Sequence, residues 1–123
     1  MEYKFYDKHN KEIYEADNKD SEEGLLNAWD EVAEDILRED NPAGVREVYY
    51  KDMINDIKSD LVYVPEHIEK VKKEINDFLT KQENKEEVYG IETLKTYIKL
   101  LNDKTCSDDT LIDIFEDYEE YLE

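Results

Sequence analysis

The chain has 123 residues, and its 35 acidic and 16 basic side chains give a formal net charge of −19 at pH 7. This charge argues against nucleic acid or an anionic membrane as a direct ligand, because binding phosphates requires clustered Lys and Arg. It favours a basic protein as the partner, with an electrostatically steered encounter. Apolar residues make up 39% of the chain and recur periodically, which predicts a folded domain rather than a disordered tail.

The cysteine content indicates the cellular compartment. Cys106 is the single cysteine, so no internal disulfide can form, which is typical of proteins in a reducing cytoplasm. The first ten residues, MEYKFYDKHN, lack the apolar segment of a secretory signal, and no apolar run approaches the length of a membrane span. We therefore expect a cytoplasmic protein that does not enter a membrane.

The N-terminal residues 2–15 predict a β-hairpin. Two short segments rich in aromatic and β-branched residues, EYKFYD and EIYEA, are separated by KHNK, whose Asn10 suits a tight turn. An isolated hairpin is marginally stable, so we expect it to pack on helices or to gain a third strand. The segment LVYV at 61–64, which is stopped by Pro65, is the candidate for that strand.

Hydrophobic periodicity predicts five helices after the hairpin, over about residues 22–40, 45–60, 66–82, 86–102 and 108–122. Ser21 is placed to cap the first helix, and Asn84 with Glu87 resembles a capping pair for the fourth. The stretch VREVYY is rich in β-formers, which leaves segment 45–64 open to helix or strand. The resulting prediction is an α+β fold, a single acidic domain over residues 1–123 in which the hairpin packs on four to five helices.

Acidic residues concentrate on two of the predicted helices. Residues 21–41 carry eight acids and one base, and residues 105–123 carry eight acids and no base, together 15 of the 19 excess negative charges. Residues 66–85 have no net charge, and acids there precede lysines by four residues, in the pairs Glu66/Lys70, Glu69/Lys73 and Asp77/Lys81. Like-charge neighbours on a helix cost about 0.2–0.5 kcal/mol each, so local stability does not explain the two acidic faces. They predict a surface for a positively charged partner.

The candidate partner-binding residues are the carboxylates of these two faces and two tyrosines beside them. They are Asp30, Glu31, Glu34, Asp35, Glu39, Asp109, Asp113, Glu116, Asp117, Glu120, Tyr118 and Tyr121. The tyrosines are included as rigid interface anchors, because carboxylates alone add little net affinity. Tyr3, Tyr49 and Tyr97 are instead expected to pack within the fold, and Trp29 is expected to anchor its helix in the core.

No catalytic residue, metal site or cofactor is predicted. Three glycines cannot build a Gly-rich phosphate loop, and no nucleotide-binding motif is present. One enzymatic alternative is a nucleophile pair of Cys106 and His67. Another is Mg²⁺ held by Glu-x-x-Glu pairs, as in all-α nucleotide pyrophosphatases, since EVAE at 31–34 and EDYE at 116–119 have that spacing. We do not expect an enzyme, because an acid-rich chain contains such spacings by chance.

The leading hypothesis is an inhibitor that presents rows of carboxylates in place of a phosphate backbone. Carboxylates on a helix repeat at a few ångströms, which is the scale of phosphate spacing along a strand. The basic groove of a nuclease or of another nucleic-acid-binding protein would accept such a row. In size and composition, the chain resembles the small acidic proteins with which phages and mobile elements block CRISPR nucleases or restriction enzymes.

Two alternatives stay open. Residues 59–65, SDLVYVP, resemble the SDLIYYP stretch at the third helix of the DNase-colicin immunity proteins. That resemblance implies that Asp60 and Tyr63 contact a nuclease toxin, while Val64 stands where the family has a second tyrosine. The other alternative is an acidic adaptor subunit of a larger complex, which would use acidic helices equally well.

Overall fold

The computed structural model describes residues 1–82 and 90–122. It confirms the predicted α+β class, because these residues form a three-stranded antiparallel sheet and five α-helices. In chain order the elements are β1 (Glu2–Asp7), β2 (Glu12–Asp17), α1 (Glu22–Asp40), α2 (Glu47–Asp60), β3 (Leu61–Tyr63), α3 (Val64–Lys81), α4 (Ile91–Leu101) and α5 (Asp108–Asp117). A 3₁₀ helix, Tyr118–Leu122, follows α5 directly. Contacts divide the chain into two compact units, Met1–Val64 and Pro65–Glu123.

The central strand of the sheet is β1, in the strand order β2-β1-β3. It pairs antiparallel with β2 in the predicted hairpin and antiparallel with β3 on its other side, where Tyr6 lies opposite Val62. The third strand predicted at 61–64 is therefore confirmed over Leu61–Tyr63. Segment 45–64, which the sequence leaves open to helix or strand, contains both: it is helical over Glu47–Asp60 and forms a strand over Leu61–Tyr63.

The hairpin turn is organised by Asp7, which the KHNK segment alone did not indicate. The buried carboxylate of Asp7 accepts the backbone N–H of His9 at 2.8 Å and that of Asn10 at 3.2 Å. An aspartate that bonds the backbone two residues ahead stabilises a turn in this way. Lys11 closes the turn with a positive φ of 57°, a conformation that side chains other than Asn and Gly rarely adopt.

Hydrogen bonds between side chains and the backbone hold the junction between β2 and α1. Ser21 caps α1 as predicted, because its Oγ accepts the N–H of Gly24 at 3.0 Å. The hydroxyl of Tyr3 donates to the carbonyl oxygen of Lys19 at 2.5 Å and accepts the N–H of Ser21 at 3.3 Å. Glu22 and the residue after it then supply the acidic first turn that suits a helix N-terminus.

The core of the N-terminal unit lies between the sheet and α1. Its buried residues are Tyr3, Phe5, Ala16, Ala28, Val32, Ala33, Ile36 and Leu61. The predicted role of Trp29 as a core anchor is confirmed, since its ring packs on Phe5 with 5.3 Å between centroids. Ile54 and Ile57 of α2 pack against the same cluster. The prediction that Tyr3 packs within the fold is also confirmed, with 3% of its surface exposed.

Helix α2 is the least buried helix of this unit, and none of its residues is fully buried. The prediction that Tyr49 packs within the fold is wrong, because 56% of its surface is exposed. Tyr49 precedes Ile54 by five residues and so lies roughly 140° around the helix from the side that reaches the core. The helix begins at Glu47, two residues later than predicted, after Arg46 in the cap position.

The C-terminal unit is built from α3, α4, α5 and the 3₁₀ helix. Its buried apolar residues are Val71, Ile75, Leu94, Leu101, Leu111, Ile114, Phe115 and Tyr118. Helix α3 matches its prediction closely, whereas the predicted start of the fourth helix at 86 and its Asn84/Glu87 cap lie outside the described residues. Helix α4 is capped by Gly90, which has a φ of 83°. The final helix is α-helical to Asp117 only and then tightens into the 3₁₀ helix, as helix C-termini often do.

Candidate partner-binding surfaces

Helix α5 turns its carboxylates to solvent because its apolar residues face the core of the C-terminal unit. Ser107 caps the helix, with its Oγ accepting the N–H of Thr110 at 3.3 Å. Leu111, Ile114 and Phe115 are buried on one side. The opposite side exposes the five carboxylates that the sequence predicts there, Asp109, Asp113, Glu116, Asp117 and Glu120, which we name the α5 carboxylate face.

The α5 carboxylate face has no cationic neighbours within the described part of the chain. Across residues 1–82 and 90–122, no Lys or Arg nitrogen lies within 4.0 Å of any of its five carboxylates. The last turn of α5 also contains no basic residue to oppose the negative end of the helix dipole. Glu120 lies in the 3₁₀ helix, so its spacing from Glu116 differs from the four-residue α-helical spacing that was predicted. The face is therefore a concentrated and uncompensated negative charge.

Tyr118 is not part of this exposed surface, and its predicted role as an interface anchor is wrong. Only 2% of its surface is exposed, and its hydroxyl donates to Oε2 of Glu74 at 2.6 Å. Burial and this hydrogen bond raise the pKa of the Tyr118 hydroxyl well above its ordinary value. Tyr118 stands at the boundary between α5 and the 3₁₀ helix, in line with the buried apolar residues of α5. Its ring therefore packs in the core of the C-terminal unit.

Tyr121 remains a candidate contact, and the structure adds Tyr97 of α4 beside it. The two half-buried rings meet edge to face, with 6.1 Å between centroids. Burial, Tyr121 and the carboxylates of Asp117 and Asp113 raise the pKa of the Tyr97 hydroxyl. Tyr97 therefore borders the α5 carboxylate face. It was expected only to pack, and no local sequence signal places it there, because it comes from a different helix.

The acidic face of α1 differs from that of α5 because part of it is neutralised inside the N-terminal unit. Lys58 of α2 reaches Asp30 with 2.5 Å between Nζ and Oδ1. Arg38 lies 3.7 Å from a carboxylate oxygen of Glu34 and 3.7 Å from one of Asp35. Of the five α1 residues in the predicted site, these three carboxylates have partners. The remaining two, Glu31 and Glu39, are exposed and form no ion pair within the described residues.

Helix α3 provides a comparison within the same chain. Its ion pair joins Glu69 to Lys72 at 2.9 Å, and Lys72 also donates to Oδ1 of Asn102 at 2.9 Å. The three acid–lysine pairs at four-residue spacing are not in contact within 4.0 Å in the described helix, so their charges compensate one another along α3 without forming ion pairs. Helix α3 has four acids and four lysines, so it carries no net charge, in contrast to α5.

The segment that resembles the colicin immunity proteins has a different local structure here. Asp60 ends α2, and Tyr63 belongs to β3 rather than to a helix. The ring of Tyr63 lies 6.0 Å from that of Tyr3 and 5.8 Å from that of Phe5, measured between centroids. Tyr63 thus packs beside the core of the sheet. The helical setting that the resemblance implies is therefore present at Asp60, the last residue of α2, and absent at Tyr63.

The residues considered for nucleophilic chemistry are placed as follows. His67 is 8% exposed, and its ring packs edge-on against Phe115 with 4.6 Å between centroids. Cys106 is half-buried and its thiol donates to the carbonyl oxygen of Ser107 at 3.8 Å. Burial, Asp103 and Asp108 raise the pKa of the Cys106 thiol, which lowers its thiolate fraction at neutral pH. Among residues 1–82 and 90–122, no three His, Cys, Asp or Glu side chains are grouped to hold a metal ion.

Comparison with known proteins gives no relative. No protein-family model matches the chain, and no curated protein or solved structure is significantly similar to it. Within the described residues, no helix combines the length and the hydrophobicity that crossing a membrane requires.

Proposed function

We propose that this protein is an inhibitor that binds a basic nucleic-acid-binding protein through the α5 carboxylate face, as a mimic of DNA or RNA. One observation supports this proposal above all others. Five exposed carboxylates stand on α5 and its 3₁₀ extension, and within the described residues none of them has a cation within 4.0 Å. Each like-charge neighbour costs the helix about 0.2–0.5 kcal/mol, and a cationic partner would convert that cost into attraction.

The spacing of the face suits a groove that binds a phosphate backbone. Side chains three or four residues apart on a helix have Cβ atoms about 5–6 Å apart. Phosphates along one strand of DNA place one charge per about 3.4 Å of the duplex axis. Two neighbouring rows of carboxylates on one side of a helix give a similar number of charges per unit length. Docking of either polyanion would displace salt ions that are held near the basic groove. Binding should therefore weaken as salt concentration rises.

The target class follows from this chemistry. Nucleases of the CRISPR and restriction type have basic channels for nucleic acid, and they are the targets that we propose, in a reducing cytoplasm. Tyr121, with Tyr97 beside it, supplies a rigid aromatic border that could contact apolar parts of the channel wall. Glu31 and Glu39 of α1 are a weaker candidate contact, because the other predicted acids on that helix already have partners.

The test is an affinity capture from cells that carry the gene, with the wild type and two variants as bait. The first variant reverses the α5 carboxylate face by Asp113→Lys, Glu116→Lys and Glu120→Lys. The control variant, Glu66→Lys, Asp77→Lys and Glu92→Lys, changes net charge by the same amount at exposed sites elsewhere in the same unit. Mass spectrometry should identify a basic nucleic-acid-binding protein with the wild type and the control but not with the α5 variant.

The captured protein should then be titrated with nucleic acid. A mimic competes with nucleic acid for it, and the competition weakens with salt. If the α5 variant captures the same protein to the same extent, the α5 carboxylate face is not the contact and the proposal fails. If binding leaves nucleic-acid binding intact, the protein does not act as a mimic.

A further inference from the structure

A second exposed surface lies at the start of α2, in the N-terminal unit. Three consecutive large residues are exposed there, with 80% of the surface of Val48, 56% of Tyr49 and 41% of Tyr50 open to solvent. Burial and the nearby Glu34 carboxylate of α1 raise the pKa of the Tyr50 hydroxyl, so Tyr50 lies on the side of α2 next to α1. We name Val48, Tyr49 and Tyr50 the VYY patch. Tyr49 is the centre of this surface, and Val48 and Tyr50 lie about 100° to either side of it around the helix. Exposed side chains of this size mark contact surfaces, and Tyr is enriched in them.

The charges around the VYY patch differ from those on the rest of this acidic chain. Arg46 and Glu47 precede it, and Lys51 and Asp52 follow it, so the flanking residues have no net charge. All four are exposed, and none forms an ion pair within the part of the chain that the structure describes. Arg46 occupies the N-cap of α2 without a capping side chain, where the helix dipole disfavours a cation. Helix stability accounts for Glu47 and Lys51, an acid-first pair at four-residue spacing, but it does not account for Arg46.

The order of these charges is complementary to itself. Arg46 and Asp52 stand three residues before and three residues after Tyr49, so both lie near Tyr49 on one side of the helix. If two copies of α2 pack antiparallel about a two-fold axis at Tyr49, Arg46 of each copy lies opposite Asp52 of the other. Parallel packing would instead place Arg46 against Arg46, which is repulsive.

We propose that the VYY patch is a self-association surface, and that its occupant is a second copy of this chain in an antiparallel, two-fold arrangement of α2. A self-complementary patch of this kind is what a two-fold contact requires. A cationic target such as the one proposed for the α5 carboxylate face would gain no electrostatic attraction from a surface without net charge. The association does not depend on the proposed function. It would join two copies of the chain, and hence two α5 carboxylate faces, in one particle.

Salt should favour this association. Each copy has a net charge of −19, so long-range repulsion opposes the approach of two copies at low ionic strength. Screening shortens that repulsion to about 10 Å or less above 0.1 M salt, while contacts of the VYY patch persist. Sedimentation velocity of the full chain, in a concentration series up to about 1 mM, should therefore show a dimer that strengthens from low salt to moderate salt, since small contacts are weak.

Exchange of charges between Arg46 and Asp52 distinguishes the proposed dimer from nonspecific hydrophobic association. Arg46→Asp and Asp52→Arg should each weaken the homodimer by about tenfold, because each places like charges opposite one another twice. An equimolar mixture of the two variants should regain a dimer, because each acid then faces an arginine. The double variant Arg46→Asp/Asp52→Arg should dimerise like the wild type. Lys99→Asp, at an exposed site on α4, is the matched control and should leave the dimer unchanged.

The possible outcomes separate clearly when circular dichroism confirms that the variants fold. A wild type that stays monomeric at moderate salt over the whole concentration range overturns the proposal. A dimer that Arg46→Asp does not weaken, or a mixture that does not restore it, also overturns the antiparallel arrangement. If Tyr49→Ala abolishes binding of a different protein while the wild type is monomeric, the occupant is a target protein and not a second copy.

Discussion

The carbonyl oxygen of Lys19 lies directly against Gly24, at the position where a Cβ atom of residue 24 would stand. Gly24 is buried in the first turn of α1 and donates its N–H to the capping Ser21. The last residues before the helix therefore cross its first turn at a distance that only glycine permits. This contact fixes how the sheet connects to α1, and the sequence contains no turn signal at Gly24 that would indicate it.

Gly24→Ala should destabilise the N-terminal unit by about 3 kcal/mol, because a new Cβ atom meets backbone, which cannot move aside as a flexible side chain can. Gly44→Ala is the control. Gly44 has a φ of 91° but no atom within 4 Å of its Cβ position, so only backbone strain of about 1–2 kcal/mol is expected. Urea unfolding followed by the fluorescence of Trp29 reports on this unit. Equal effects of the two substitutions would contradict the role of the Lys19 contact.

Tyr3→Phe should destabilise the same junction by about 1–3 kcal/mol. The lost hydroxyl leaves the Lys19 carbonyl without its 2.5 Å donor and the Ser21 N–H without an acceptor at 3.3 Å, in a partly buried setting. Tyr14→Phe removes a hydroxyl that bonds Glu12 at 3.0 Å in an exposed position, and it should cost much less. The comparison uses urea midpoints of both variants. The role of the Tyr3 hydroxyl would be refuted if Tyr3→Phe were as stable as the wild type.

Local patterns predicted the elements of this fold well, and contacts between elements account for what they missed. Ser21 was identified as a cap because capping depends on the next three residues only. Asp30 was assigned to an uncompensated face because its partner, Lys58, stands 28 positions further along the chain on another helix. Tyr118 was placed in an interface for the same reason, since Glu74 on α3 cannot be read from the sequence of α5.

Alkaline pH should weaken the C-terminal unit through Tyr118. Its pKa is raised in the folded state by burial and by the bond to Glu74, while in the unfolded chain its pKa is about 10. As pH rises, the unfolded state therefore loses the Tyr118 proton before the folded state does. The contribution of Tyr118 to the free energy of unfolding is constant below about pH 10 and falls as pH rises further. Tyr118→Phe should lower stability by about 1 kcal/mol at pH 7 and should reduce the slope above pH 10.

Thermal unfolding followed by far-UV circular dichroism between pH 7 and pH 11 measures this slope. Other tyrosines contribute to the alkaline loss, including Tyr14, whose pKa burial and Glu12 raise to about 12. Tyr14→Phe therefore serves as the second reference, and the effect of Tyr118→Phe should exceed it because Tyr118 is the more deeply buried residue. An unchanged slope in Tyr118→Phe would mean that its hydrogen bond to Glu74 does not contribute in solution.

Neutralising the α5 carboxylate face should stabilise the isolated protein, even though it removes the proposed contact. Asp113→Asn together with Glu116→Gln relieves repulsion between neighbours that have no cation within 4.0 Å in the described residues, and should add a few tenths of a kcal/mol. Asp30→Asn is the matched control, because it removes the partner of Lys58 and should be neutral or destabilising. Moderate salt should raise the thermal midpoint of the wild type more than that of the α5 variant, since screening and neutralisation relieve the same repulsion. A lower midpoint in the α5 variant would show instead that these carboxylates stabilise the fold, and a surface that the fold itself requires would no longer need a partner to explain it.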